Sequence, residues 1–223
     1  MAVGGGVRGE RMEGRKYVVE FVGTFLFFFT IGMVIIGRAE LVVFAPFAIG
    51  AALMVLVYAG GHISGGHYNP AVSLAVFLRK RITAREMVLY WVVQFLGAAV
   101  AAYLVLYMKG NPAVGTFTPP AYGLALLAEF LFAFALCFVV LNVATAKANA
   151  GNSYFGLAIG FTVMVGAFAV GGISLAAFNP AVALGFTLTG LSTWANISYF
   201  LIGDFLGGAA AAAIFRATNP NDP

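Results

Sequence analysis

Two stretches of this sequence carry the same polar tripeptide inside apolar surroundings. Residues 61–72 read GHISGGHYNPAV and residues 171–182 read GGISLAAFNPAV. The chemistry they offer is hydrogen bonding to a neutral molecule rather than bond making. Asn69 and Asn179 each carry an amide that donates and accepts. Each stands before Pro70 or Pro180, which suits a first helical position because its φ is preset and its missing N–H costs nothing there. Asn is also a good N-cap, and Ala71 and Ala181 complete the motif. Each stretch reads as a loop opening a short helix that runs to about Leu78 or Leu188, roughly 15 Å at 1.5 Å per residue. The remaining reactive side chains do not assemble into a catalyst. His62 and His67 have no third nitrogen or thiolate nearby and make a poor metal site, and no nucleophile–base pair is visible. The single Cys137 lies in an apolar run, where packing is its expected role. No cofactor or metal is expected.

The elements that must hold these motifs are membrane spans. Of the 223 residues 62% are hydrophobic and 9% charged, where a soluble domain carries about 25% charged. Apolar runs of roughly 20 residues suit a ~30 Å hydrocarbon core. Six are predicted, at about 17–37, 41–59, 84–108, 121–145, 154–170 and 194–216. The first sixteen residues are polar and glycine-rich and do not resemble a cleavable leader. Non-helical backbone at membrane depth persists only when buried in protein or lining a watery cavity, so both loops are expected at a conduction or binding site.

The two halves repeat. Glu20 and Glu129 are 109 residues apart in matching contexts, Asn69 and Asn179 are 110 apart, and Gln94-Phe-Leu-Gly matches Asp204-Phe-Leu-Gly, again at 110. Each half has three spans, an odd number, so the second half enters the membrane upside down. The loops then come from opposite faces and the half-helix N-termini meet near the midplane. Each end carries about +0.5 charge, so the facing pair opposes cations, while the amides hold a passing molecule by its oxygen and interrupt a proton wire. The predicted fold is an all-α membrane protein, six spans plus two re-entrant half-helices in an inverted 3+3 repeat. It is a single channel domain over 17–217 (halves about 17–110 and 120–217), with an N-terminal segment 1–16 and a tail 218–223.

The net charge of +4 is a matter of sidedness, and no nucleic-acid partner is expected. Arg8, Arg11, Arg15, Lys16, Arg79, Lys80, Arg81, Arg85, Lys147 and Arg216 fall on one side of six spans, leaving Arg38 and Lys109 on the other. That asymmetry assigns both termini to the cytoplasm of a multi-pass cell-membrane protein, with contact to anionic lipid as a secondary role. Gly97, Ala101, Gly207 and Ala211 read as small residues permitting close helix packing.

The paired motifs, with Ser-Gly-Gly-His-Tyr before the first, resemble the aquaporin or major intrinsic protein family from Glu20 to about Arg216. The resemblance implies a right-handed bundle, one pore per subunit, usually four subunits, and passage of water and small neutral solutes. It implies that Glu20 and Glu129 brace the re-entrant loops and that His62 lines the cytoplasmic vestibule; His67 is read as bracing its loop. A third Asn-Pro-Ala at 111–113 precedes Val-Gly-Thr-Phe-Thr-Pro-Pro, which cannot continue a helix, and is not expected in the pore. The family usually has Arg after the second motif, where this chain has Val182. With Ile49, Ala167 and Ala176, Val182 makes an expected outer filter that is wholly apolar. The glycerol-conducting branch usually has Asp where Ala183 stands. Two expectations follow: a pore admitting neutral solutes larger or less polar than water, such as ammonia, urea, small polyols or dissolved gas, and exclusion of cations and protons resting on the helix ends alone, with some leak as the consequence. Asp204 departs from the pattern too, with a structural hydrogen bond, pore lining and pH gating as its readings. A secondary transporter, a membrane enzyme and a junction-forming protein remain the competing classes.

Overall fold

A computed structural model describes residues 4–37 and 39–222, with side chains over 14–37 and 42–222. The side chains of Arg8 and Arg11, and all of Arg38, used above for orientation, lie outside the described residues. Eight helices follow in order: α1 Gly4–Ile35, α2 Ala45–Ser64, α3 Pro70–Leu78, α4 Ala84–Met108, α5 Tyr122–Val140, α6 Phe155–Ser174, α7 Pro180–Leu188 and α8 Ile197–Thr218. Among the described residues, six stretches are long and apolar enough to span a membrane: Gly14–Ile35, Val42–Ser64, Ala84–Met108, Tyr122–Thr145, Phe155–Ser174 and Ile197–Thr218. α3 and α7 are the two short helices, and both begin and end where the sequence placed them.

The first span, Gly14–Ile35, lies close to expectation, and its helix extends back to Gly4, since Arg, Glu, Met and Lys before the span are good helix formers. Two boundaries differ. α2 and α6 continue to Ser64 and Ser174 instead of ending near 59 and 170. Their Gly-containing ends stay helical because the ladder continues, with Gly65 N–H bonding Gly61 C=O and Leu175 N–H bonding Gly171 C=O, both at 3.0 Å. The loops proper shrink to residues 65–69 and 175–179. The third Asn-Pro-Ala lies in the α4–α5 connection, where Asn111 is an exposed turn residue with φ 51°.

The inverted repeat is visible in the packing. α1 lies on α4, α5 on α8, and α2 meets α6 across the junction of the halves. A Cβ added at Gly97 would sit 2.6 Å from Phe21 C=O, and one at Gly207 would sit 2.6 Å from Phe130 C=O, the same contact made in each half. Gly50 and Gly160 meet each other: a Cβ on either would lie 2.7 or 2.4 Å from its mate's carbonyl. Ala101 and Ala211 are fully buried beside these crossings. Helices this close suit small-residue interfaces, where lipid tails offer no hydrophobic drive for association.

Candidate functional site

The two half-helices are capped by the motif itself. Asn69 has extended backbone (φ −156°) and its Oδ1 accepts from Ala71 N–H at 2.8 Å; Asn179 (φ −160°) accepts from Ala181 N–H at 2.9 Å and Val182 N–H at 3.4 Å. Pro70 and Pro180 occupy the first helical positions. Each amide nitrogen crosses to the other loop: Asn69 Nδ2 donates to Phe178 C=O at 2.8 Å and Asn179 Nδ2 to Tyr68 C=O at 2.9 Å. These reciprocal bonds bring the half-helix N-termini together. An amide nitrogen carries two hydrogens, so each Asn keeps one N–H for a molecule between them.

Two buried glutamates hold the loops. Glu20 Oε1 accepts from Ser64 Oγ at 2.7 Å and His67 N–H at 2.9 Å, while Oε2 accepts from Tyr68 N–H at 2.7 Å and Gln94 Nε2 at 2.9 Å. Glu129 Oε1 accepts from Ser174 Oγ and from Ala177 N–H at 3.1 Å, and Oε2 accepts from Phe178 N–H at 2.6 Å. Tyr68 (φ 49°) and Phe178 (φ 48°) adopt the left-handed conformation in matching places. Tyr90 and Tyr199 hydroxyls donate to Ser64 and Ser174 carbonyls at 2.7 and 3.2 Å.

The symmetry then breaks. In the first half His67 Nδ1 and Gln94 Nε2 both bond Ser73 Oγ at 3.0 Å. Their mates in the second half are Ala177, Asp204 and Ala183. Asp204 is fully buried beside Glu129, and neither of its oxygens has a hydrogen-bond partner among the described residues.

Three cavities in succession run along the bundle. A wide one of about 720 Å³ opens at the end that carries Arg81 and Lys147 and is also lined by His62, Ser64 and His67. A central one of about 10 Å³ is lined by Phe27, His67, Asn69, Val72, Val163 and Asn179 among others. At the opposite end a funnel of about 330 Å³ has no charged lining residue among the described residues and includes Ile49, Ala167, Ala176 and Phe168. His67 and Val140 line both the first and second cavities, and Phe27, Val163 and Ala177 line both the second and third.

Of the four expected filter residues, Ile49, Ala167 and Ala176 therefore come together, whereas Val182 is buried (1% exposed) and is not among the residues lining the funnel. His62 stands in the wide vestibule; His67 both bonds Ser73 and faces the path. The sequence reading missed Phe27, Leu53, Leu136 and Val163, which line the central cavity. The repeat spacing carried the signal, since Phe27 pairs with Leu136 and Leu53 with Val163. Phe27 also lies seven residues beyond Glu20 on one helix face.

The basic end is tied together separately. Lys16 on α1 pairs with Glu86 on α4. Asp222, beyond α8, bonds Arg79 Nη2 at 2.8 Å, Arg81 Nη2 at 3.1 Å and Lys147 N–H at 2.7 Å. Arg79 is buried against the Phe215 ring, 4.4 Å from its centroid. The Lys147 backbone N–H, then the Arg79 guanidinium, hold the Asp222 carboxyl below the usual carboxylate range.

Comparison with known proteins agrees with this geometry. A family model described as Major intrinsic protein matches residues 10–215. The chain is 38% identical over 216 residues to aquaporin NIP1-1 of Oryza sativa subsp. japonica, covering 92% of this chain and 75% of that protein. It is 36% identical over 168 residues to aquaporin TIP1-1 of Zea mays, covering 74% and 67%. In fold it is similar to the X-ray structure of the aquaglyceroporin from Plasmodium falciparum, with a TM-score of 0.78, 21% identity and coverage of 94% and 98%. Capped half-helix ends facing one another across a narrow path, in a sequence matched over nearly its whole length, place this chain in the major intrinsic protein family, the aquaporins.

Proposed function

We propose that this chain is a passive membrane channel for water and small neutral solutes, with its path running between Asn69 and Asn179. The observation that carries this reading is the reciprocal bonding of the two amides, which leaves one donor on each facing the central cavity. A water held there by its oxygen from both sides has no free donor-to-acceptor chain along which a proton could move. Two helix N-termini, each about +0.5 charge, raise the potential against cations at the same place. Family membership makes the chain a channel rather than an enzyme.

With Val182 in the position where the family usually has Arg and no charged side chain lining the funnel among the described residues, cation exclusion rests on those helix ends. Clustering of Lys16, Arg79, Arg81 and Lys147 at one end supports placing both termini in the cytoplasm. Assembly as a homotetramer in the cell membrane, in contact with its lipid, completes the proposal. Stopped-flow light scattering on proteoliposomes tests it: water efflux several-fold above protein-free vesicles is the expected result. Saturable flux that requires an ion gradient would point to a transporter instead.

A further inference from the structure

Resting on the channel reading, we infer that solute size is selected at a collar of Phe27, Val163 and Ala177 beside the paired asparagines, and not at the outer ring of Ile49, Ala167 and Ala176. The outer funnel holds about 330 Å³ and the chamber below it about 10 Å³, the latter about the space of a single water. Phe27, Val163 and Ala177 line both, so they frame the passage from one to the other. They come from three separate elements, α1, α6 and the second re-entrant loop, and each is at most 4% exposed.

Phe27 is the bulky member, and its helix has little freedom to retreat. At Gly23, one turn before it, a Cβ would lie 2.0 Å from the Tyr68 ring; at Gly32, beyond it, a Cβ would lie 2.8 Å from Val105. α1 is therefore pressed against its neighbours on both sides of the collar. The chemistry of the collar is apolar on all three residues, while the donors nearest to it belong to Asn69 and Asn179. A solute entering from the funnel must shed its hydration before it reaches them. Water or ammonia, each a single heavy atom with a lone pair for the Asn donors, can do this within a one-molecule chamber. A three-carbon polyol has three hydroxyls to satisfy and is too large for the chamber. The apolar outer mouth thus admits more than the pore transmits, and the class transmitted is neutral molecules of one or two heavy atoms.

The test compares water, ammonia and glycerol permeability in proteoliposomes of wild type, Phe27→Ala, Val163→Ala and Ile49→Ala. Wild type is expected to conduct water and ammonia, with glycerol near the protein-free rate. Phe27→Ala is expected to raise the glycerol-to-water ratio about tenfold, which corresponds to roughly 1.4 kcal/mol of barrier. Val163→Ala, a milder change on another helix, should move the ratio in the same direction and serves if Phe27→Ala does not fold. Ile49→Ala should raise it less than either. Free glycerol passage in wild type, or a larger gain in Ile49→Ala than in the collar variants, would overturn the inference and leave the channel intact. Wild-type vesicles no faster to water than protein-free ones would overturn both.

Discussion

The two braces differ in the side chain that faces the glutamate, Gln94 beside Glu20 and Asp204 beside Glu129, and that difference can be measured by making the same substitution in each. Glu20→Gln replaces one acceptor oxygen with an N–H₂. On Oε2 this strands Tyr68 N–H and Gln94 Nε2; with the amide flipped it strands Ser64 Oγ and His67 N–H. Either way two buried donors lose their acceptor, at about 1–3 kcal/mol each, so the cost is about 2–6 kcal/mol. Glu129→Gln strands only Phe178 N–H if the nitrogen takes the Oε2 position. Its new N–H₂ meets Asp204, whose oxygens have no partner among the described residues. A new hydrogen bond to Asp204, about 0.5–1.5 kcal/mol, offsets much of the lost one. The net change for Glu129→Gln is therefore about 1 kcal/mol. For a chain of this size about 2–4 °C of Tm corresponds to each kcal/mol. Thermal unfolding in one detergent, followed by far-UV circular dichroism, should place Glu20→Gln on the order of 10 °C below wild type, with Glu129→Gln only a few degrees below wild type. Equal losses, or a larger loss in Glu129→Gln, would refute the reasoning that Asp204 waits for a donor.

Three further outcomes are expected. Gly160→Ala should lower Tm by several degrees, because its Cβ would lie 2.4 Å from the Gly50 carbonyl and overpacking costs about 1–3 kcal/mol. Ala176→Gly should raise stability by about 0.5–1 kcal/mol: Ala176 sits at φ 55° where its repeat mate Gly66 has φ 63°, a conformation that costs an L residue about 1–2 kcal/mol against the entropy cost of glycine, roughly 0.5–1 kcal/mol. Asp222→Asn should lower Tm at neutral pH. Because the folded carboxyl is held below its usual range, that loss is full above the ordinary carboxylate pKa and should vanish as pH falls through the depressed folded value; a pH-independent loss would show that charge is not what Asp222 contributes.

The half-helices were legible because Asn before Pro is a strong start signal and because a basic run (79–81) and Thr189-Gly190 follow their last apolar residues. The ends of α2 and α6 were not. Gly60, Gly61, Gly171 and Gly172 suggest a break, yet the helical hydrogen-bond ladder continues through them to Ser64 and Ser174. Pore-lining Phe27 and Val163 lie on helices that are apolar all round, where no polar face distinguishes the pore side from the lipid side; only the repeat spacing could have pointed to them. Val182 follows the second motif at the expected filter position, and it is buried and not among the residues lining the funnel. The contact of Asp222 with Arg79 joins the C-terminal tail to the end of α3, a pairing set by the whole topology and by no local pattern.

The path between the asparagines is tested most directly with a thiol placed on it. Ala177 lines both the central chamber and the funnel, whereas the one native cysteine, Cys137, is buried. Water permeability of proteoliposomes carrying Ala177→Cys should fall toward the protein-free rate on adding a mercurial and recover with a thiol reductant, while wild type is unaffected. A conducting Ala177→Cys channel that ignores the mercurial would place the path elsewhere.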